Sequence, residues 1–310
     1  MRTGSVTTLS LPAGQTGPVI TINWDDWLGF GGYTTVHSGT LDGRAVAVKV
    51  IGGGELSTRE RARLRIYDWS THENTINYGV VIIPELEMAR LSSRPDYPSS
   101  LCKIFGTYRY RSADGMIRDI VVMERFDHDL FERIFGNKRW QEHGNSWMVE
   151  KFLEIAKGIE YALQHSIVLG DIKLENIFLR QDDSVAVGDY NNNFTPRTVD
   201  LWKHLGTFPQ GTPEYRAPEI AFTPRPPTEN SIIYAFGMMF LRCMVTASLG
   251  TLSNDVKHDQ IDKVRQHLLP AYQPGQPGHA LFELALACTR RNPQERPSLA
   301  DVIEKLNQLL

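Results

Sequence analysis

An acid, a lysine and an amide stand at fixed offsets within residues 169–176, and no other feature of the chain constrains its fold as strongly. Asp171 could accept a hydroxyl proton, Lys173 could contact a transferring phosphate, and Asn176 could bind a metal ion. Asp189 ends a strand-like apolar run further along the chain and could supply a second metal ligand. A surface turn would explain each residue singly, but not the set, because an amphipathic helical pattern precedes it and two short strand patterns follow. The pattern predicts a loop fixed between a helix and a β-hairpin, with phosphate chemistry at its centre.

A glycine-rich segment, Gly-Phe-Gly-Gly-Tyr-Thr-Thr-Val over residues 29–36, is a second candidate phosphate site. Glycines let a backbone approach phosphates closely and leave N–H groups to bind them. A tight hairpin would explain the segment about as well, but Ala47 and Lys49 follow at the distance of a neighbouring strand. A lysine at the end of an apolar strand is costly to bury without an anionic partner. The two segments together favour a site for nucleotide phosphates.

The chain divides by composition into a strand-rich part and a helical part. Residues 24–126 consist of short strand-like runs and one helical pattern, whereas residues 127–310 show mostly helical apolar spacings. Residues 1–23 are rich in Thr, Gly and Ser and predict a loosely ordered tail, and residues 52–80 predict an insertion. The expected fold class is therefore α+β.

Composition argues against several broad classes of function. The 310 residues carry a formal net charge of −3 and a pI of about 6.3, which does not support a nucleic-acid partner. The most apolar run, residues 232–241, is shorter than the about 20 residues that a membrane span needs. Cys102, Cys243 and Cys288 are too widely spaced for a zinc cluster or a disulfide framework, so a reducing compartment is expected. These features predict an intracellular protein, cytoplasmic or nuclear, with no membrane span.

Residues 211–219, Gly-Thr-Pro-Glu-Tyr-Arg-Ala-Pro-Glu, form the most specific motif of the chain. Together with the acidic loop segments and the glycine-rich segment, this motif resembles those of eukaryotic protein kinases, and Lys173 resembles the serine/threonine type. The resemblance covers residues 24–310. It implies a two-lobed fold, with an antiparallel sheet and one main helix in the N-terminal lobe and a larger, mostly helical C-terminal lobe. It also implies that Glu219 pairs with Arg296.

For the C-terminal lobe, the resemblance implies that Asp171 accepts the proton of a substrate hydroxyl and that Lys173 stabilises the charge of the γ-phosphoryl group. Thr212 would hydrogen-bond both residues, and Asn176 and Asp189 would hold Mg²⁺. The implied reaction transfers the γ-phosphoryl group of ATP to serine or threonine hydroxyls of a protein substrate.

The resemblance further implies a nucleotide pocket between the lobes. Lys49 would contact the α- and β-phosphates and pair with a helical glutamate, which we assign to Glu87, with Glu85 as the alternative. Residues 121–126 resemble the hinge between the lobes, and their backbone would bind the adenine edge. Asp129 would reach the ribose, although a helix N-cap explains Asp129 equally well. The implied nucleotide-binding residues are Gly29, Gly31, Val36, Ala47, Lys49, Glu87, Met123, Glu124, Phe126 and Asp129.

Several supporting positions depart from the family pattern. Leu169 and Gly170 replace the usual His-Arg pair, Thr34 and Asn191 replace glycines, and Ile232 replaces a helical aspartate. An apolar contact between Leu169 and Ile232 is expected to replace the lost polar anchor. Loss of supporting residues can lower a reaction rate even when the reacting groups remain. The alternative function is therefore that of a pseudokinase, which binds nucleotide or acts as a scaffold and regulates a protein partner.

The missing arginine would ordinarily bind a phosphate on the activation segment. We therefore predict that activity does not require phosphorylation of Thr195, Thr198 or Thr207. A small-molecule phosphotransferase of the same broad fold is disfavoured, because it would leave residues 211–219 unexplained.

Overall fold

The computed structural model describes residues 6–9, 17–30, 34–52, 74–111, 117–136, 144–206, 208–209, 211–223, 225–249, 264, 266, 268–276 and 278–310. The chain forms two compact units. The first unit contains Met1–Tyr97 and Cys102–Phe126, and the second contains Pro98–Leu101 and Asp127–Leu310.

Antiparallel strands and a long helix build the described part of the first unit. The elements are β1 (Val6–Leu9), β2 (Ile20–Phe30), β3 (Thr34–Leu41), β4 (Arg44–Ile51), α1 (Asn74–Ser92), β5 (Ile104–Arg111) and β6 (Ile117–Met123). The strands form a six-stranded sheet in the order β1-β2-β3-β4-β6-β5.

The β3–β4 hairpin shows how the sequence determines the register of this sheet. Asp42 and Gly43 form its two-residue turn with φ of 50° and 82°, the left-handed backbone that such turns require. The side chain of Asp42 also accepts a hydrogen bond from the N–H of Val19 at 2.8 Å. Apolar residues at alternate positions of β2 and β4 then fill one core, which includes Ile20, Ile22, Trp24, Val46, Val48 and Val50.

The prediction that residues 1–23 form a loosely ordered tail is wrong for part of that range. β1 and the start of β2 lie within it and pair antiparallel, with Val6 opposite Asn23 and Leu9 opposite Ile20. The physical reason is the alternation of buried apolar residues along β2, because a strand of this pattern gains energy by placing one face on the core.

Helix α1 begins at Asn74, so the last residues of the predicted insertion at 52–80 are helical. Residues 53–73 of that insertion lie outside the described residues. From Val81 onward one face of α1 is buried, and this face contains Ile82, Glu85 and Met88. A helix with such a buried face packs against the rest of its unit, so Glu85 points into the interior of that unit.

The second unit is mostly helical. Its elements are β7 (His128–Asp129), a π-helical turn (Glu132–Gly136), α2 (Gly144–Gln164), a 3₁₀ turn (Leu174–Asn176), β8 (Ile177–Leu179), β9 (Val185–Val187), a 3₁₀ turn (Tyr190–Asn192), α3 (Pro196–Leu205), a 3₁₀ turn (Pro213–Tyr215), α4 (Pro218–Phe222), α5 (Glu229–Leu249), α6 (His279–Cys288), a 3₁₀ turn (Pro293–Glu295) and α7 (Leu299–Leu309). β7, β8 and β9 form a small antiparallel sheet.

The core of the second unit lies between α2 and α5. Phe152 stacks on Phe240 with ring centroids 3.6 Å apart and meets Phe236 edge-on at 5.3 Å. α5 is apolar nearly all round from Ile232 to Val245, as the sequence predicted for a buried central helix. The two units therefore match the α+β class, with a sheet in one unit and helices in the other.

All three cysteines are buried and carry free thiols. Burial raises the pKa of Cys243 and of Cys288 to about 12. Within the described parts of the chain, no helix combines the length and the apolar composition that crossing a bilayer requires.

Candidate active site

The β8–β9 hairpin brings the two predicted metal ligands to one place. Asn176 directly precedes β8, Asp189 follows β9, and Ile177 pairs with Val187 across the hairpin. The N–H of Gly188 donates to the carbonyl oxygen of Asn176 at 2.9 Å, so the chain leaving β9 lies beside the chain entering β8. This antiparallel register explains why residues that are distant in sequence become neighbours.

Asp171, Lys173 and Thr212 form a connected polar cluster. Thr212 donates both its backbone N–H and its hydroxyl to Asp171 Oδ1, each at 2.8 Å. Lys173 Nζ lies 3.0 Å from Asp171 Oδ2 and donates to the Thr212 hydroxyl oxygen at 3.1 Å. The predicted contacts of Thr212 with both residues are confirmed, and they connect residues 169–176 to residues 211–219.

The charges around Lys173 keep it protonated. Burial lowers its pKa, but the carboxylates of Asp171, Asp189 and Glu175 outweigh this effect, so the net shift is upward. Because Asp189 is among the charges that act on Lys173, the metal-ligand candidate belongs to the same polar cluster as the candidate base. The cluster therefore presents a fixed cation beside two carboxylates.

Asp189 has a backbone conformation that is uncommon for a residue other than glycine. Its φ is 55° and its ψ is 81°, in the left-handed region, which costs on the order of 1 kcal/mol or more. The following Tyr190 is buried and donates its hydroxyl to the carbonyl oxygen of Val187 at 2.8 Å. The buried Tyr190 thus fixes the chain after β9, and the left-handed backbone at Asp189 turns the chain between β9 and Tyr190.

The donor set at this hairpin fits a magnesium ion that is completed by other ligands. The Asn176 amide nitrogen donates to the carbonyl oxygen of Asp171 at 2.8 Å, which leaves the amide oxygen as the end of this side chain suited to a cation. Among the described residues, no group of three or more His, Cys, Asp and Glu is arranged to hold a metal by itself. An amide and one carboxylate suit Mg²⁺, which usually keeps waters and substrate phosphates among its ligands.

Backbone contacts fix the start of the catalytic loop, residues 169–176, before Asp171. Val168 and Phe194 exchange two backbone hydrogen bonds of 2.8 Å, and the N–H of Gly170 donates to Asn193 Oδ1 at 3.3 Å. A methyl group at Gly170 would lie 2.0 Å from the carbonyl oxygen of Asn192 and 2.8 Å from the ring of Phe194. Glycine at this position is therefore required by close packing, and an arginine side chain has no room there.

Leu169 and Ile232 are both buried and line one cavity that also borders Asp171. The shared cavity places the two apolar side chains near each other, which agrees with the expected apolar contact, and polar residues such as Asp171 and Thr212 line the same cavity. Sequence reasoning did not identify Asn193, whose side chain supplies the hydrogen bond to the loop, because nothing in the local pattern distinguishes it from neighbouring asparagines.

Two of the three threonines named as phosphorylation candidates are buried in a helix cap. Thr195 caps α3 by accepting from the N–H of Thr198 at 3.2 Å, and the Thr198 hydroxyl accepts from the N–H of Thr195 at 2.8 Å. Both side chains are inaccessible to solvent. Thr207 lies outside the described residues. The fold of this segment is thus stabilised by a capping box.

In the first unit, Lys49 forms a buried ion pair with Glu85 at 2.7 Å. The assignment of this role to Glu87 is wrong, and the alternative, Glu85, is correct. Glu85 lies on the buried face of α1 with Met88 and Ile82, whereas Glu87 is only partly buried. Helical spacing from the apolar neighbours was the signal that would have selected Glu85.

The glycine-rich segment lies on the β2–β3 hairpin. Gly29 pairs with Val36, and Val36 pairs with Lys49 on β4, so the segment and the buried lysine occupy neighbouring strands. Gly31 lies outside the described residues. Ala47 is buried and pairs with Met123 at the end of β6.

The backbone of the segment after β6 already makes one hydrogen bond within the first unit. The N–H of Glu124 donates to the carbonyl oxygen of Lys103 at 2.9 Å, so this N–H is already satisfied within the first unit. The first unit ends at Phe126. The roles proposed for Met123, Glu124 and Phe126 in adenine binding stay predictions.

Asp129 makes the capping contact that was the alternative to ribose binding. Its Oδ1 accepts from the N–H of Glu132 at 2.7 Å, at the start of the π-helical turn. Burial raises the pKa of Asp129, with further contributions from the charges of Glu132 and Glu175. The ribose role stays a prediction.

The predicted ion pair between Glu219 and Arg296 is confirmed. Arg296 donates from two guanidinium nitrogens to the two carboxylate oxygens of Glu219 at 2.7 and 2.8 Å. Arg296 also donates to the carbonyl oxygens of Arg290 and Asn230, and its guanidinium lies over the ring of Tyr234. A buried charge satisfied in this way stabilises the end of the 211–219 motif.

A sheet with a buried Lys–Glu pair, followed by a helical part whose loop joins an acid, a lysine and a threonine, defines the protein kinases as the class of protein. The family described as the protein kinase domain matches residues 23–306, and the chain belongs to this family. The recognition and the fold class predicted from the sequence are therefore confirmed.

The chain is also similar to individual curated proteins. It is 25% identical over 302 residues to the receptor protein kinase WSS1 of Oryza sativa subsp. japonica, covering 91% of this chain and 30% of that protein. It is 26% identical to the LEAF RUST 10 disease-resistance locus receptor-like protein kinase-like 1.1 of Arabidopsis thaliana, covering 91% of this chain and 43% of that protein. It is 25% identical to the serine/threonine-protein kinase Nek4 of Mus musculus, covering 70% of this chain and 26% of that protein. The chain spans less than half the length of these relatives.

Proposed function

We propose that this protein is an active protein serine/threonine kinase that uses ATP and Mg²⁺. The observation that carries the proposal is the arrangement at Asp171, where Thr212 donates two hydrogen bonds to one carboxylate oxygen and Lys173 contacts the other. This arrangement supports both an oriented base and a fixed cation, which are the two protein groups that phosphoryl transfer to a hydroxyl most needs.

Each side chain of the cluster has a role in this proposal. Asp171 orients the substrate hydroxyl and accepts its proton. Lys173, held protonated by its carboxylate neighbours, stabilises negative charge on the transferring group. Thr212 fixes both side chains and prevents the carboxylate of Asp171 from rotating away. Asn176 and Asp189 would hold Mg²⁺, which when bound together with ATP neutralises phosphate charge and supplies the group to be transferred.

In the same proposal, Lys49 of the first unit would bind the phosphates of the nucleotide. Lys49 is almost fully buried, and its ion pair with Glu85 holds the ammonium group in one position. The neighbouring hairpin residues Gly29 and Val36 would provide backbone close to the phosphates.

A transfer assay with purified protein tests this function. The protein is incubated with labelled ATP, Mg²⁺ and a generic basic protein substrate, and the labelled residues are identified by mass spectrometry. We expect label on serine or threonine, and we expect Asp189→Asn to abolish transfer while its circular dichroism spectrum stays that of the parent. Label on tyrosine alone would contradict the specificity.

The same preparation distinguishes the alternative of a pseudokinase that regulates a protein partner. The supporting positions Leu169, Gly170 and Ile232 motivate this second candidate. Thermal stabilisation by ATP without any turnover would favour it, because ligand binding raises stability without requiring chemistry. Turnover that depends on Asp189 would exclude it.

An intracellular location, cytoplasmic or nuclear, is part of the proposal. Three buried free thiols are consistent with a reducing compartment. Fractionation of the source cells would test it, and recovery of the protein outside the cell would contradict it.

A further inference from the structure

The first strand of the sheet lies outside the part of the chain that the kinase family matches. β1 spans Val6–Leu9, whereas the family match begins at residue 23. β1 nevertheless pairs in regular antiparallel register with the start of β2. We call β1 the N-terminal strap. It lies at the sheet edge beside the start of β2, the strand whose end enters the glycine-rich segment.

The strap has one face on the sheet's core and one face in solvent. Thr7 and Leu9 are partly buried, and Leu9 packs against the core of the sheet, while Val6 and Thr8 are exposed. The hydroxyl oxygen of Thr7 accepts a hydrogen bond from the indole nitrogen of Trp24 at 2.7 Å. Trp24 is buried, so this bond satisfies an N–H group that would otherwise lack a partner away from water.

Trp24 contacts His37, which lies on the β3 strand of the glycine-rich hairpin. The ring of Trp24 meets His37 edge-on with centroids 4.9 Å apart, and Trp27 meets the same ring at 5.0 Å. His37 is fully buried, and burial lowers its pKa to about 4, so the ring is neutral at pH 7. His37 directly follows Val36, the hairpin residue that pairs with Gly29.

The backbone pairing of the hairpin is interrupted at the same place. The register between β2 and β3 shifts between Asn23 and Trp27, and again between Trp27 and Gly29. Irregular pairing leaves part of a strand without ladder hydrogen bonds. Trp24 lies within the first irregular stretch and Trp27 stands between the two, and both rings pack against His37.

We propose that the N-terminal strap is a positioning element for the nucleotide-binding hairpin, with Thr7 and Trp24 as its positioning residues. The order of contacts runs from Thr7 to Trp24, to His37 and then to Val36 and Gly29. Loosening the first contact frees Trp24 to move and weakens the placement of the paired residues Gly29 and Val36. The nucleotide part of this inference rests on the proposed function, in which Gly29 and Val36 would provide backbone close to the phosphates.

Two adjacent threonines of the strap supply a matched pair of variants. Thr7→Val removes the hydroxyl that Trp24 uses, whereas Thr8→Val makes the same change on the exposed face of the same strand. Thr7→Ser restores a hydroxyl and is the rescue variant. Hydrogen exchange of the peptide that covers residues 29–36 reports on the hairpin without any nucleotide. Loss of one hydrogen bond corresponds to about fivefold faster exchange in Thr7→Val, with Thr8→Val and Thr7→Ser at the rate of the parent.

Kinetic constants then separate positioning from general stability. We expect Thr7→Val to raise KM for ATP by about fivefold, while KM for the protein substrate and kcat stay within twofold of the parent. Equal exchange in Thr7→Val and Thr8→Val would overturn the proposal. So would a rise in both KM values together. If the parent protein neither binds nor turns over ATP, the proposed function fails, and the exchange experiment still decides whether the strap orders the hairpin.

Discussion

In the catalytic loop, the groups expected to react keep the family pattern, whereas the positions that support them do not. The polar side of the loop retains every group expected to contact the reacting atoms, with Asp171, Lys173 and Thr212 connected by short hydrogen bonds. The positions that support the loop retain none of the polar groups of the family pattern: Gly170 packs against backbone, and Ile232 lines a cavity with Leu169. The difference teaches that the chemistry depends on particular atoms, whereas the support depends on shape and on satisfied backbone groups.

The largest effect should follow from removing the charge on the polar side. Asp171→Asn preserves shape and still offers an oxygen to Thr212, but an amide cannot accept a proton. We expect kcat to fall by about 1,000-fold, within the range that general bases contribute, with little change in thermal stability. Asp200→Asn on the exposed side of α3 is the control. Activity within tenfold of the parent would contradict the role of Asp171 and remove one side of the comparison.

The next effect should follow from adding a single methyl group at one of the supporting positions. Gly170→Ala would place Cβ 2.0 Å from a backbone oxygen, which cannot move as a side chain can. We expect a loss of about 2 kcal/mol in the free energy of unfolding, measured by urea denaturation, with a fall in activity at the same time. Gly136→Ala, where the new methyl group comes no closer than 3.4 Å to Glu132, should be close to neutral. Equal stability of the two variants would show that the packing at Gly170 is not a constraint.

Restoring the family's acid tests whether shape alone supports the loop. Ile232→Asp buries a carboxylate in a cavity that Leu169 and the carboxylate of Asp171 also line, so we expect about 1–2 kcal/mol of destabilisation. Ile232→Val is the matched apolar control and should cost less. Thermal melts of both variants provide the measurement. Unchanged or improved stability in Ile232→Asp would show that the loop still accepts a polar anchor.

The smallest effect should come from removing phosphate. The segment that contains α3 is held by the Thr195–Thr198 cap and by the Val168–Phe194 pairing, and neither contact involves a phosphate. Bacterially expressed protein treated with phosphatase should retain activity within about twofold of the untreated protein, because no arginine stands at position 170 to bind a phosphate. Complete dependence on phosphorylation would mean that another cation takes the role of that arginine.

Sequence reasoning predicted contacts that follow from motif spacing better than those that follow from backbone geometry. The bonds from Thr212 to Asp171 and Lys173, and the pair of Glu219 with Arg296, connect motifs whose residue types already require partners. Motif position favours Glu87, whereas the apolar periodicity of α1 favours Glu85, the residue that pairs with Lys49.

The closure of the loop at Gly170 could not be predicted in the same way. It depends on where the carbonyl oxygen of Asn192 lies, which no residue type specifies. The strap could have been found only in part, because the alternation of Ile20, Ile22 and Trp24 predicts a strand, whereas the bond from Trp24 to Thr7 depends on the register of β1. Backbone position is set by the whole fold, so local patterns carry little information about it.

The buried thiols have a practical consequence for studying motion in this protein. Only a thiolate reacts readily with maleimides or alkylating agents, and Cys243 and Cys288 remain protonated at neutral pH, while Cys102 is shielded from solvent. A cysteine introduced at an exposed position such as Asp200 would therefore take up a fluorophore ahead of the native three. Distance probes could then be attached to the folded enzyme without first replacing any of its own sulfur atoms.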